Sequence, residues 1–115
     1  MLLRLDTTNR APLHEQIAGA LRRAIAEGDH APGDRLPSAR DLSQALGVNA
    51  NTTLRALRTL RDEGLLEFRR GRGVTVAEGA RQRSALVDRV HDLVAEAARL
   101  GYGRADLIAL INTTA

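Results

Sequence analysis

The sequence has no cysteine, no tryptophan and no lysine, and its only other aromatic residues are one tyrosine and one phenylalanine. Without cysteine there can be no disulfide bond and no thiolate metal site. No apolar run reaches the roughly 18 residues of a membrane span, and the first residues do not resemble a signal peptide. With so few aromatic residues the core must consist of Leu, Val, Ile and Ala, which favours packed helices. We therefore expect a cytoplasmic protein of about one domain.

The positive charge is carried by arginine alone. All 17 basic residues are Arg, and the net charge is +3. Between Arg35 and Arg72 there are eight arginines and four acids, so this segment carries +4 and the rest of the chain −1. A GC-rich genome would also enrich arginine, but it would not cluster it. A basic segment on a near-neutral domain is typical of a nucleic-acid-binding protein.

Two short helices around Gly47 have the spacing of a helix-turn-helix. Ser38 is expected to begin the first helix, with an apolar face of Leu42, Ala45 and Leu46. Asn49 is a good N-cap for the second helix, which runs to Glu63. A helix that enters the major groove needs polar side chains at its start and apolar ones behind. This helix has Asn49, Asn51 and Thr52 at its start, and Ala56, Leu57 and Leu60 behind.

Other elements flank this pair of helices. Pro12 opens a first helix that stops at Gly28, and Gly-containing residues 70–73 form the turn of a hairpin. The remaining predictions are a short strand at residues 2–5, hairpin strands at 65–69 and 74–76, a long amphipathic helix at 81–100 and a final short helix carrying Leu107, Ile108, Leu110 and Ile111. The predicted fold class is mainly α with a small β-hairpin.

Five segments, in this order, resemble the GntR family of bacterial transcription regulators. They read PLHEQI at 12–17, PGDRLPS at 32–38, LGVNANT at 46–52, EGLL at 63–66 and RGRG at 70–73. The resemblance implies a winged helix-turn-helix and a sequence-specific, DNA-binding regulator that is most often a repressor. Two positions depart from the family. Thr53 stands where Val is common, which predicts slightly weaker packing, and Leu54 stands where a polar residue is common, which argues against a base contact there.

The resemblance also implies which residues contact double-stranded DNA: the Pro-Ser-x-Arg segment, the start of the recognition helix and the wing. The implied DNA-binding residues are Arg35, Ser38, Arg40, Asn49, Asn51, Thr52, Arg55, Arg70, Gly71 and Arg72. Asn reads adenine with two hydrogen bonds, and arginine binds phosphate or guanine. Interpretations without DNA contact stay open, because Asn49 could be only a helix cap and the arginines could be only solvated.

The chain is expected to divide into a DNA-binding domain at residues 1–78 and a two-helix tail at residues 79–115. So short a tail resembles the YtrA-like subfamily, whose members use it to form homodimers. Independently, the apolar stripe of the long helix would form a small bundle with a second copy, although the tail could instead fold back on its own domain. A dimer predicts an inverted-repeat operator with half-sites about one helical turn apart. The expected interface is Leu86, Val90, Leu93, Val94, Ala97, Leu100, Leu107, Ile108 and Ile111.

An enzyme is not expected, and neither is a cofactor or a metal. His14, His30 and His91 lie far apart, and none has metal-ligand spacing with another ligand. Two further functions stay open: an architectural DNA-binding protein with little sequence preference, and a protein-interaction module. A small-molecule effector would have to bind between the tail and the DNA-binding domain, or in the dimer interface.

Overall fold

The computed structural model describes residues 5, 8 and 10–114. The predicted strand at residues 2–5 lies outside these residues except for Leu5, which is not in a strand. The elements, in chain order, are α1 (Leu13–Ala26), α2 (Ala39–Leu46), α3 (Ala50–Asp62), β1 (Leu66–Arg69), β2 (Gly73–Val76), α4 (Ala80–Arg99) and α5 (Arg104–Thr113). The predicted mainly helical class with one hairpin is therefore confirmed.

The core lies where α1 and α3 pack together and α2, the hairpin and the start of α4 close around them. Ile17, Leu21, Leu57 and Leu60 have no exposed surface, because helical spacing brings the apolar residues of α1 and α3 to one face. Each such side chain contributes ~1.5–3 kcal/mol on burial. The core residues are Ile17, Ala18, Leu21, Ile25, Leu36, Leu42, Ala56, Leu57, Leu60, Leu65, Leu66, Val76, Ala77 and Ala80.

The ends of α2 and α3 follow from local capping. Ser38 Oγ accepts a hydrogen bond from the backbone N of Asp41 at 3.1 Å, and Asn49 Oδ1 accepts one from the N of Asn51 at 2.7 Å. Between the two helices Gly47 adopts a φ of 69°, in the left-handed region where glycine carries no steric penalty. Both predicted N-caps are confirmed.

The face that α2 presents to α3 differs from the predicted one. Leu42 is buried and Leu46 half-buried, but Ala45 is exposed and Ser43 is buried instead. The reason is a polar contact, since the hydroxyls of Ser43 and Thr53 share a hydrogen bond of 2.8 Å inside the interface. Thr53, as expected, occupies a core position.

The wing contains more than a hairpin. Strands β1 and β2 pair antiparallel, with Leu66 opposite Val76 and Arg69 opposite Gly73. On its other edge β2 pairs with residues 33–36: the N of Leu36 donates to Val74 O at 2.9 Å, and an isolated bridge joins Arg35 to Thr75. The loop before α2 is thereby fixed against the wing.

The tail packs partly on the rest of the chain. The start of α4 lies along α1 through Ala80 and Ser84, both fully buried. At its other end, α4 contacts α5, where Ala97 and Leu107 are buried. None of the helices in the described part of the chain is both long enough and apolar enough to span a membrane. The division after residue 78 stays a prediction, and Ala80 already belongs to the core.

Candidate nucleic-acid interface

The start of α3 presents two asparagine side chains that differ in whether they already form a hydrogen bond within the chain. The side-chain oxygen of Asn49 accepts the capping hydrogen bond, which leaves its amide NH2 as the group free to donate. Asn51 is exposed, with no hydrogen bond from its side chain to a described residue. The side chain of Asn51 therefore keeps both its donor and its acceptor for a ligand, whereas the side-chain oxygen of Asn49 is already engaged by the cap.

Four other residues predicted to contact DNA lie along the two helices of the helix-turn-helix. Ser38 accepts the cap at Asp41 with its oxygen and keeps its hydroxyl proton to donate to an anion. Arg40, in the first turn of α2, is exposed and does not pair with the neighbouring Asp41. Thr52 is half-buried and Arg55 exposed on α3, so all four have surface available to a ligand.

The wing gathers a second group of predicted residues. Its turn is Arg70, Gly71 and Arg72, all exposed, and Gly71 has a φ of 79°. Arg35 joins this group from outside the hairpin, because a Cβ added at Gly73 would lie 3.2 Å from Arg35 Nε. The side chain of Arg35 therefore lies against the wing backbone, a contact that sequence reasoning did not predict.

Pairing with acids separates the basic residues of this region into two classes. Arg61 pairs with Asp62, and its guanidinium lies 4.8 Å from the centre of the Phe68 ring; Arg69 pairs with Glu67. The other six form no ion pair with any residue in the described part of the chain. Unpaired guanidinium groups can bind phosphate without first losing an intramolecular partner. They are Arg35, Arg40, Arg55, Arg58, Arg70 and Arg72.

The tail exposes most of the predicted dimer residues on α4 and α5. Leu86 and Leu100 are 63% and 69% exposed, and Ile111 is 58% exposed. Ala97 and Leu107 are the exceptions, because they are buried between α4 and α5 of the same chain. The exposed members are Leu86, Val90, Leu93, Val94, Leu100, Ile108 and Ile111, and Leu110 lies exposed beside them.

A polar cluster that sequence reasoning missed joins α1, the end of α3 and α4. The Arg22 side chain is 5% exposed and donates to both carboxylate oxygens of Glu63, at 2.9 and 3.1 Å from Nη2. His91 Nε2 lies 2.5 Å from Glu63 Oε2, and Asp88 lies 3.9 Å from Arg22 Nη1. The sequence held one indication of this cluster, because Arg22 falls on the apolar face of α1, where a buried charge needs a partner.

Next to this cluster is a cleft of about 540 Å³ between α1, α3 and α4. Its walls include His14, Arg22, Asp88 and His91. It lies in one of the two places where an effector was expected, between the tail and the DNA-binding domain. Among the residues that the structure describes, no group of three or more His, Asp or Glu side chains is placed to hold a metal ion.

Comparisons of sequence identify the family. The gntR family of bacterial regulatory proteins matches residues 13–76, more than half of the chain. The transcriptional repressor YtrA of Bacillus subtilis is 35% identical over 80 residues, which cover 70% of this chain and 62% of YtrA, less than two thirds of that protein. The transcriptional regulator Rv1152 of Mycobacterium tuberculosis is 33% identical over 104 residues, which cover 90% of this chain and 86% of Rv1152.

Solved structures show the same fold. YtrA from Sulfolobus acidocaldarius, a GntR-family transcription factor, superimposes with a TM-score of 0.65 at 32% identity, covering 81% of this chain and 98% of YtrA. The DNA-binding domain of AraR in complex with operator ORE1 superimposes with a TM-score of 0.57 at 27% identity, covering 67% of this chain and 94% of that domain. The chain is therefore a winged-helix member of the gntR family of bacterial regulatory proteins, similar to YtrA.

Proposed function

We propose that this protein is a transcriptional repressor that binds, as a homodimer, an operator of two inverted half-sites. The observation that carries the proposal is the free start of α3. Asn51 keeps its donor and acceptor, and six arginines between residues 35 and 72 have no acidic partner among the described residues. The arginines would bind phosphates and hold the register, while Asn51 and Arg40 would read bases.

The proposed partner in the dimer is a second copy of the chain. Leu86, Val90, Leu93 and Leu100 follow the spacing of a helix-packing stripe along α4, and none of them is covered within the chain. A stripe that runs along one helix is complementary to itself across a two-fold axis. The same axis would place two recognition helices on successive major grooves, which requires half-sites about one helical turn apart.

Selecting bound fragments from genomic DNA, followed by footprinting, tests the proposal. We expect protection of one inverted repeat and a dimeric mass in solution. Asn51→Ala should lose protection at this site while its mass stays dimeric, and Arg61→Ala, which removes an arginine already paired with Asp62, is the matched control. Uniform coating of random DNA would instead support the architectural function, and no DNA binding at low salt would leave only the protein-interaction module.

An effector, where one acts, would bind the cleft between α1, α3 and α4. Its volume of about 540 Å³ lies within the ~300–1,000 Å³ of ligand sites, and charged residues from α1 and α4 line it. Metabolites that raise the unfolding temperature of the protein, but not that of Asp88→Ala, would support this site. Since the proposed target is bacterial operator DNA, the proposed location is the cytoplasm.

A further inference from the structure

We infer that polar contacts between Glu63 and α4 hold α4, the helix of the proposed dimer interface, at a set angle to the recognition helix α3. These contacts thereby determine the half-site spacing that the dimer accepts. The inference rests on the proposed homodimer and concerns residues outside the DNA-binding set. Glu63, Arg22, Arg83 and His91 are together called the latch below. They act as positioning residues, since none of them is proposed to touch DNA.

The inner half of the latch anchors Glu63, the residue that caps the C-terminal end of α3. Arg22 of α1 binds its carboxylate through Nε at 3.1 Å and Nη2 at 2.9 Å. With the Glu63 side chain 16% exposed and that of Arg22 5% exposed, the pair is largely shielded from water. The carboxylate therefore has a fixed place relative to both α1 and α3.

The outer half attaches α4 to this fixed point twice. Arg83 Nε donates to the backbone carbonyl of Glu63 at 2.6 Å, and His91 Nε2 lies 2.5 Å from the Glu63 carboxylate. Residues 83 and 91 are about two helical turns apart. Ala80 and Ser84 already hold the start of α4 against α1, where Ser84 Oγ donates to Arg22 O at 2.6 Å. The contacts of Arg83 and His91 add two attachments to Glu63, the second about two turns beyond Ser84, and these limit rotation of α4 about its packed start.

The glycines that follow α1 and α3 make room for this attachment. A Cβ at Gly64, whose φ is 82°, would lie 2.8 Å from Arg83 Nε. A Cβ at Gly28, whose φ is 83°, would lie 3.1 Å from Arg81 Cζ. Arginines of the first turn of α4 thus lie over the ends of both core helices, where a positive charge also interacts favourably with the helix dipole.

Geometry connects this angle to the spacing of the DNA sites. The exposed stripe of α4 ends at Leu100. At 1.5 Å per residue this is about 20 Å from the point midway between Arg83 and His91. A rotation of α4 by about 10° at the latch would move that end by about 3.5 Å. This displacement is about the rise of one base pair, so a latch that limits rotation would select one spacing.

The test uses Arg83→Ala/His91→Ala, which removes both attachments of α4 to Glu63 and leaves the buried pair of Arg22 and Glu63 in place. Binding is measured to a single half-site and to inverted half-sites whose separation is varied one base pair at a time. For the wild-type protein we expect one preferred separation. For the variant we expect about tenfold weaker binding at that separation, corresponding to ~1.4 kcal/mol, with little difference between separations and unchanged binding to the single half-site.

Two further variants separate positioning from general destabilisation. Arg99→Ala removes an exposed arginine of α4 that pairs with no described acid, and it should keep the wild-type preference. Arg83→Lys, with His91 retained, should show the wild-type spacing preference that the double variant loses, because lysine can still donate to the Glu63 carbonyl. Weaker binding to the single half-site would indicate a merely structural role.

A wild-type spacing preference in the double variant would overturn the inference. If the wild-type protein itself shows no preferred separation, the proposed dimeric function is wrong and the inference falls with it. The two failures are distinguishable, because only the second appears in the unmodified protein.

Discussion

The winged helix and the tail differ in where their apolar side chains lie. Within residues 13–76, Leu13 is the one large apolar residue that is exposed, whereas α4 and α5 expose leucines, valines and isoleucines along most of their length. The winged helix buries its apolar side chains in a core that the start of α4 helps to close, whereas the rest of the tail leaves an apolar surface uncovered within the chain.

This difference indicates that the two regions depend on different partners. A domain that buries its apolar side chains internally can use its surface for polar contacts, and here that surface carries unpaired arginines. Exposure of an apolar stripe to water is unfavourable in free energy, and this cost is removed when another surface covers the stripe. Self-association and DNA binding should therefore be separable by mutation, and the first two predictions below each test one side of that separation.

The largest effect is expected for Leu93→Asp in the tail. It places a charge in the proposed apolar interface of each copy, which should weaken dimerisation by at least ~3 kcal/mol and reduce the solution mass to that of a monomer. Light scattering over a range of concentrations measures this. Ala95→Asp is the matched control, because Ala95 is exposed on the opposite side of α4, and it should stay dimeric. A dimeric Leu93→Asp variant would mean that the stripe of α4 is not the interface.

The second prediction concerns the winged helix alone. Arg40→Ala should lower the affinity for the operator by ~1–3 kcal/mol, the range expected for a lost base contact, without changing the mass or the unfolding temperature. Fluorescence anisotropy at one salt concentration, with operator and scrambled DNA, measures both affinity and specificity. If both DNAs lose affinity equally, Arg40 binds phosphate and does not read a base.

Local signals explain why the winged helix could be predicted from sequence. Gly47, Ser38 and Asn49 act on residues next to them, so the helix ends follow from a few neighbouring letters. The spacing of apolar residues likewise identified α1, α3 and the long α4 within a residue or two. The wing could be placed because its turn needs glycine.

Contacts between distant residues could not be predicted in the same way. Arg22 and Glu63 are 41 residues apart, and Glu63 and His91 are 28 apart, so nothing local relates them. The predicted buried face of α2 was wrong at Ala45, because Ser43 is buried instead and its hydrogen bond depends on Thr53 of the next helix. Arg35 meets the wing only because residues 33–36 pair with β2. Each miss reflects tertiary packing that overrides a local pattern.

A third prediction separates stability from recognition at the start of α3. Asn49→Ala removes the cap on Asn51 N and should lower the free energy of unfolding by ~1 kcal/mol. Asn51→Ala should leave stability nearly unchanged and lower operator affinity by ~1–3 kcal/mol. Chemical denaturation and anisotropy on both variants measure the contrast. Equal losses of affinity in the two would show that Asn49 reads bases in addition to capping.

The smallest expected effect concerns the hydroxyl pair between α2 and α3. Thr53→Val restores the apolar side chain that the family commonly has, but it deprives Ser43 of a buried partner while the Ser43 hydroxyl keeps its bond to Ala39 O at 2.6 Å. The net change should stay within ~1 kcal/mol, because a buried hydrogen bond and better apolar packing offset each other. A double-mutant cycle with Ser43→Ala, measured by chemical denaturation, should give a coupling of ~0.5–1.5 kcal/mol. No coupling would mean that the pair adds nothing to the packing of α2 on α3, and that Ser43 is held at this interface by its bond to Ala39 alone.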